Sequence, residues 1–367
     1  MNSKIKVLAL VPSVYDTSPG QRFRIEQWEP ILDKHNVEIT YHSFEDDTLR
    51  SVLYKSGAFG TKLSEVSKSF RRRFSIISAL KNFDLVYVFR ETAVLGPALF
   101  ERKIADSGVP YIFDFDDAVF VAYKSPANGY LSYLKFPGKT RTICRLATHV
   151  MAGNEYLADY AREVNKNVTI IPTTIDTEKY QPDYKRQTLA KTPTIVWSGS
   201  FSTVQHLDTL RSALQKLAKT EKFKLRVIGT PQYEIEGVET EAIQWRAETE
   251  IEDLQAGNIG IMPLPDESWS KGKCGLKALQ YMALGIPTIC SPVGVNSDII
   301  QDGENGFLAS TEEEWIVKIK LLIHSPEKCL SLGKAGRLTV EEKYSAIVQA
   351  PRVYQIFASV VSQNSLR

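Results

Sequence analysis

The sequence is poor in the residues that metal and redox sites use. Its four cysteines, Cys144, Cys274, Cys290 and Cys329, stand far apart and form no C-x-x-C or Cys/His pattern, which argues against a zinc site and a disulfide framework and fits a reducing compartment. The five histidines, His35, His42, His149, His206 and His324, form no pair at ligand spacing, so neither a metal centre nor a catalytic triad is expected from them. Charge of one sign is also lacking. Forty-five basic residues oppose 43 acidic ones for a net +2, too little for wholesale nucleic-acid binding. No apolar run approaches the length of a membrane span, and the early KVLALVP ends at Pro12, too short for a signal segment. The expectation is a cytoplasmic protein whose membrane contact, if it has one, is peripheral.

What is present is the composition of an ordinary globular protein, 43% hydrophobic and 24% charged over 367 residues, a length that exceeds one hydrophobic core. Short apolar runs alternate with amphipathic segments. In the first half the runs are KVLALV, VEITYH, LVYVF, PYIFDF, HVMAG and VTIIP; in the second they are TIVWSG, KLRVIG, AIQW, IGIMPL and PTICS. Between them lie helical patterns such as RFRIEQWEPIL and PALFERKIADSG. This alternation predicts parallel sheets covered by helices on both faces. The polar DTEKYQPDYKRQTLAKTPT, with Pro182 and Pro193, reads as a linker. Two doubly wound Rossmann-like α/β domains follow, over residues 1–185 and 186–343, with a last helix over 344–367 expected to cross back to the first domain. A shared ligand would then sit in a cleft at the carboxyl ends of the strands.

The stretch KGKCGLKALQYMALGIP puts lysines and glycines before an apolar helix. At 100° per residue Leu276, Leu279 and Ala283 fall on one stripe, and Lys273, Lys277 and Gln280 on another. Gly272 and Gly275 bare the backbone at the helix entrance, where N–H groups and the dipole favour an anion. A diphosphate suits the arrangement; so does a solvated basic face whose glycines only turn the chain.

The segment QYMALGIPTICSPVGVNSDIIQDGENGFLA resembles the C-terminal signature of the retaining, glycogen-synthase-like glycosyltransferases (family 4, group 1 type) of GT-B fold. Three further segments agree in order: SPGQRFRIEQW with a glycine loop after the first strand, VTIIPTTIDTEKY with the interdomain element, and TIVWSGS with the first C-terminal strand. The resemblance implies transfer of a glycosyl group from a nucleotide-diphosphate sugar to a saccharide or lipid-linked acceptor, with retention and without a metal or other cofactor. It also implies bacterial-type surface polysaccharide or glycolipid assembly at the inner face of the membrane.

The chain departs from the family pattern at several places. The two glutamates that usually contact donor sugar and ribose fall on Gly272 and Gln280, and the usual Arg and Lys on the diphosphate fall on Ser200 and Gln205. Lys273 and Lys277 are the substitute cations that this alignment suggests, and the amide of Gln280 still suits ribose hydroxyls. Donor-side candidates by resemblance are Gly20, Gly199, Ser200, Thr203, Trp245, Arg246, Cys274, Gly275 and Gln280. Ser202 and Thr203 read equally well as helix N-caps, and Trp245 as core. In FDFDDA, Asp116 takes the place of the family's sugar-facing histidine and Asp117 that of the following aspartate. Asp116 joins the two lysines as a catalytic candidate. Asp117, Arg22 and Arg24 are assigned to the acceptor side, Asp117 having helix capping as its alternative. Asp114-Phe115-Asp116 also reads as a metal-binding D-x-D, a reading that the second α/β half opposes.

Residues 68–81, KSFRRRFSIISALK, mix basic and apolar side chains, and Lys135, Lys139, Arg141 and Arg145 form a second basic cluster. Both fit an anionic membrane surface, or a plain amphipathic helix with solvated charges. Two alternatives to a transferase stay open: a nucleotide-sugar epimerase, and a catalytically degenerate nucleotide-sugar-binding scaffold.

Overall fold

The computed structural model describes residues 4–53, 59–122, 136–185 and 192–365. The chain divides into two compact units, Met1–Thr173 with Gln349–Arg367, and Thr174–Val348.

The first unit is built on six parallel strands: β1 (Ile5–Val11), β2 (Val37–Ser43), β3 (Leu85–Phe89), β4 (Tyr111–Phe115), β5 (His149–Ala152) and β6 (Val168–Ile170). Their order is β2-β1-β3-β4-β5-β6, with Val7 of β1 beside Leu85 of β3. β3 and β4 are buried along their whole length, which is why they read as apolar runs, broken only by Asp114 in β4. Successive strands are added first on one side of β1 and then on the other, so the winding reverses between β1 and β3. In open α/β sheets such a reversal opens a crevice at the strands' carboxyl ends. From Gln349 onward the last helix, Ala346–Ser365, belongs to this unit. Phe357 meets Tyr87 with ring centroids 6.1 Å apart, and Tyr354 stacks on His35 at 4.7 Å.

The second unit repeats the architecture with β7 (Thr194–Ser198), β8 (Lys224–Ile228), β9 (Thr240–Ile243), β10 (Ile259–Met262), β11 (Thr288–Cys290) and β12 (Phe307–Leu308). All pairings are parallel, in the order β12-β11-β10-β7-β8-β9. One core packs Ile195, Trp197, Leu225, Val227 and Ile261 against Leu214 and Leu217 of helix Arg211–Ala218 and Trp315 and Ile319 of helix Glu312–His324. Here the winding reverses between β7 and β10.

Three local expectations change. The strand expected at AIQW lies two residues earlier, at Thr240–Ile243, and β12, two residues long, was not anticipated. The helix expected from RFRIEQWEPIL is broken: Phe23 and Arg24 leave helical φ/ψ, and a regular helix resumes only at Gln27–Lys34. The helix behind the two lysines starts at Leu276, not before Lys273, because Gly275 is left-handed at φ +70°. Lys273 lies in the preceding turn, its N–H donating to Ser270.

Candidate active site

The reversal point of the second unit gathers basic groups. β7 ends at Ser198, Gly199 has its N–H on Ile228, and the loop turns into a short helix, Val204–Asp208. From the β10 side come Lys273 and helix Leu276–Ala283, which carries Lys277. The Lys277 ammonium lies 4.6 Å from the centre of the Trp197 ring, and the Lys273 ammonium 4.7 Å from that of Trp269. Burial pushes Lys277 down to about 7, with the Lys273 charge adding to the effect. His206, itself buried, is pushed down to about 4 by burial and then by Lys277 and Lys273. Three basic groups therefore feel one another at the end of β7. The Trp197 indole N–H beside them is buried and has no hydrogen-bond partner among the described residues.

The hydroxyls expected here form a knot within the loop. Ser200 N–H donates to Thr203 Oγ1 at 3.0 Å, and the Ser200 and Ser202 hydroxyls are 2.8 Å apart. Thr203 occupies the N-cap position without capping through its side chain. A Cβ on Gly199 would stand 2.3 Å from the Trp197 ring and 2.7 Å from Thr203 Oγ1, so the loop runs closer to the ring than any side chain would permit. Cys274 is buried in the glycine turn, its thiol 3.8 Å from the Gly272 carbonyl.

Gln280 is buried, and its amide donates to Tyr180 Oη at 3.3 Å. Tyr180 donates to Glu250 at 2.7 Å, and Glu250 also receives the Trp245 indole N–H at 2.9 Å. The amide assigned to ribose is thus spent partly inside the unit. Trp245 remains partly exposed and Arg246 exposed. Arg337 fixes the same corner by donating to the carbonyls of Tyr180, Ala283 and Thr177.

In the first unit, charges meet as ion pairs. Arg24, expected on the acceptor side, is fully buried and grips Asp114 through Nε at 2.7 Å and Nη2 at 2.5 Å. The break at Phe23–Arg24 turns this side chain inward. Asp114 also accepts from the Tyr87 hydroxyl. Held in this way, the first carboxylate of the D-x-D cannot join Asp116 in clamping a metal. Arg22 pairs with Asp16 at 2.7 Å and is buried as well. Asp117 accepts from the Ala118 N–H at 3.0 Å. Asp116 pairs with Arg90 Nε at 2.6 Å, and Gly20 lies against both.

The basic segments offered to a membrane are mostly committed inside this unit. Arg72 pairs with Asp46, and Arg73 is fully buried on the carbonyls of Val11 and His42. Lys139 is buried between Glu91 and the Ala93 carbonyl, and Arg141 pairs with Glu163. Lys135 lies outside the described residues. Among the described residues no helix is long and apolar enough to cross a membrane.

A family model described as "Glycosyl transferases group 1" matches residues 192–325. Residues 192–325 are a glycosyl transferase group 1 domain. Putative glycosyltransferase EpsD of Bacillus subtilis is 39% identical over 67 residues, which cover 18% of this chain and 18% of that protein. Among solved structures, sucrose-phosphate synthase from Thermosynechococcus elongatus superposes over 98% of this chain and 100% of its own, with a TM-score of 0.72 at 18% identity. Anabaena HepE in complex with UDP-glucose superposes over 97% of this chain and 100% of its own, with a TM-score of 0.68 at 12% identity. At these identities the likeness is one of fold, and that fold is GT-B.

The group 1 domain contains every second-unit candidate; its structure sets Lys277 and Gly199 against Trp197, ties Ser200 to Thr203 beside Gly199, and places Lys273 over Trp269 within electrostatic reach of Lys277. Sequence reasoning missed His206, Trp197 and Glu250 in this domain, and Arg90 in the first unit. A signal for Trp197 existed in its position two residues before Gly199. None existed for Arg90, whose partner Asp116 is 26 residues away, or for the contact of Glu250 with Tyr180, 70 residues away.

Proposed function

We propose that the protein is a retaining, metal-independent glycosyltransferase that moves a sugar from a nucleotide-diphosphate sugar to a saccharide or lipid-linked acceptor. One observation carries the reading: Lys277, held over the Trp197 ring, feels the charge of Lys273, and both act on buried His206, where the winding of the group 1 domain reverses. The cations that the family keeps at Ser200 and Gln205 are in this reading relocated to the β10 side. In the reaction the anomeric carbon loses its bond to the diphosphate and gains one to the acceptor oxygen. The acceptor's proton leaves with a diphosphate oxygen on the same face. Lys277 takes up a proton as the dianion arrives, and preorganised cations stabilise the charge as it develops, with no reorganisation at that moment. In the first unit Asp116 is assigned to a sugar or acceptor hydroxyl. Surface polysaccharide or glycolipid assembly at the inner face of a membrane is the setting that the sequence resemblance supports.

Because HepE, which shares this fold, binds UDP-glucose, uridine nucleotides are the first to try. The test is a thermal-shift screen against nucleoside diphosphates and nucleotide sugars, with EDTA or magnesium, repeated on Lys273→Ala. Metal-independent stabilisation by one nucleotide's sugars, lost in the variant, is expected. Stabilisation by none would overturn the reading, nucleoside diphosphate binding without turnover of any donor and acceptor would favour the scaffold, and donor conversion without an acceptor would favour an epimerase.

A further inference from the structure

Several lysines of the second unit find a carboxylate: Lys224 lies 3.0 Å from Glu239, Lys318 3.0 Å from Asp302 and Lys320 2.7 Å from Glu221. Lys277 does not. It is carried in the first turn of helix Leu276–Ala283, where it is half-buried while the six residues after it are buried. Among the described residues its nitrogen has neither a hydrogen bond nor an ion pair, and it rests 4.6 Å from the centre of the Trp197 ring. The charged groups coupled to it are Lys273, from the turn before the helix, and His206, from helix Val204–Asp208. No carboxylate is among them.

An ammonium in this place gives up hydration, gains only an aromatic face in return and is repelled by a like charge, so the neutral amine is favoured. The push of Lys277 down to about 7 agrees with that geometry. At about pH 8 most copies then carry a free lone pair, whereas a lysine titrating near about 10.4 does so in only about one copy in 250. Lysines that are desolvated or set beside another cation are for this reason the nucleophilic ones. The Lys273 charge has a second effect, since it draws anions towards the same spot. A reagent that joins an anionic group to an electrophilic carbon is therefore held with its carbon beside a nucleophile.

We propose that Lys277 is a modification site, at which the amine takes the acyl group of an acyl phosphate whose phosphate is drawn to Lys273. The Nζ lone pair attacks the acyl carbon and a C–N bond forms. The bond from that carbon to the phosphate oxygen breaks, and the amine's proton passes to the departing group, which leaves as hydrogen phosphate. No oxidant or further reactant is needed. The product is a neutral amide that cannot take up a proton, so the site loses one of its cations. That this loss switches off sugar transfer rests on the transferase reading; the acylation itself does not.

The experiment incubates the full chain with acetyl phosphate at about pH 8 and follows the occupancy of each lysine by peptide mass spectrometry. Lys277 should be acetylated at least about tenfold faster than Lys219 and Lys222, which are exposed in the same unit. Urea should abolish the advantage, and Lys273→Gln should reduce it. The N-hydroxysuccinimide ester of acetic acid, which carries no phosphate, should show a smaller preference for Lys277. A Lys277 rate no higher than those of Lys219 and Lys222, an advantage that survives unfolding, or an equal advantage with the neutral ester would each overturn the proposal. A parallel run contains UDP or another nucleoside diphosphate, which is expected to protect Lys277. Fast acetylation that none of them slows would remove the diphosphate site of the transferase reading and leave the modification standing.

Discussion

The two units share an architecture of six parallel strands, wound in different orders, and they treat charge differently beside the point where the winding reverses. In the first, cations are matched to carboxylates: Arg24 to Asp114, Arg90 to Asp116 and Lys139 to Glu91. In the second, burial, with the neighbouring lysine charges adding to it, pushes Lys277 and His206 well below their ordinary values. Matched pairs hold a structure together. Like charges held close together cost stability and are relieved when an anion binds, which is what the proposed diphosphate site requires.

The sharpest way to break this comparison is to delete one charge on each side. Asp114→Ala strands the buried Arg24 guanidinium, and removing one partner of a buried pair typically costs about 3–5 kcal/mol. Denaturant unfolding should show the loss, and a first unit that tolerated the change would refute the structural role given to the pair. Lys277→Met should do the reverse to stability, raising the melting midpoint of the ligand-free protein. Transfer should meanwhile fall by about 10² to 10³, the usual consequence of removing one preorganised donor to developing charge. Steady-state turnover and nucleoside diphosphate binding read this, and retained turnover would sink the site.

A pH series sharpens the same contrast. Lys277 is pushed down to about 7 in the folded protein, whereas in an unfolded chain a lysine titrates near about 10.4. Between those values the unfolded chain holds the extra proton, so stability rises with pH; below about 7 both forms are protonated and the full penalty applies. The stability advantage of Lys277→Met should therefore be greatest at about pH 6 and vanish near about pH 10. Calorimetry in buffers of different ionisation enthalpy should register proton uptake when a nucleoside diphosphate binds at about pH 8, and the variant should lose that uptake.

Much of this was legible in the sequence, for a physical reason. Strands buried on both faces, such as β3 and β4, are dominated by apolar residues, and their alternation with helical segments points to parallel sheets. Lys273 and Lys277 were conspicuous because glycines surround them. The start of their helix was misread because the left-handed turn at Gly275 depends on the approach of Ile299 and Val295, which no local pattern announces. Arg22 and Arg24 were both assigned to the acceptor side, yet both are buried; the break at Phe23–Arg24 that buries Arg24 on a carboxylate 90 residues away is a tertiary event. Gln280 kept the place of a ribose-binding glutamate, yet its nearest polar partner, Tyr180, is 100 residues distant. Arg90 illustrates the same limit, its partner Asp116 being 26 residues away.

The smallest expected effect concerns membranes. Each basic residue left facing an anionic bilayer contributes about 1 kcal/mol, so the arginine run in helix Phe59–Ser78 suggests strong attachment only if its charges point outward. Arg72 and Arg73 do not: one is on Asp46 and the other inside, on the carbonyls of Val11 and His42. Arg71 is exposed, while exposed Lys68 already pairs with Glu65. Cosedimentation with phosphatidylserine vesicles should therefore exceed that with phosphatidylcholine vesicles by no more than about tenfold, and Arg71→Gln should remove most of the difference. Stronger binding would mean that the first unit offers cations that its ion pairs were taken to occupy, and the contrast with the lysines of the second unit would fail on that side.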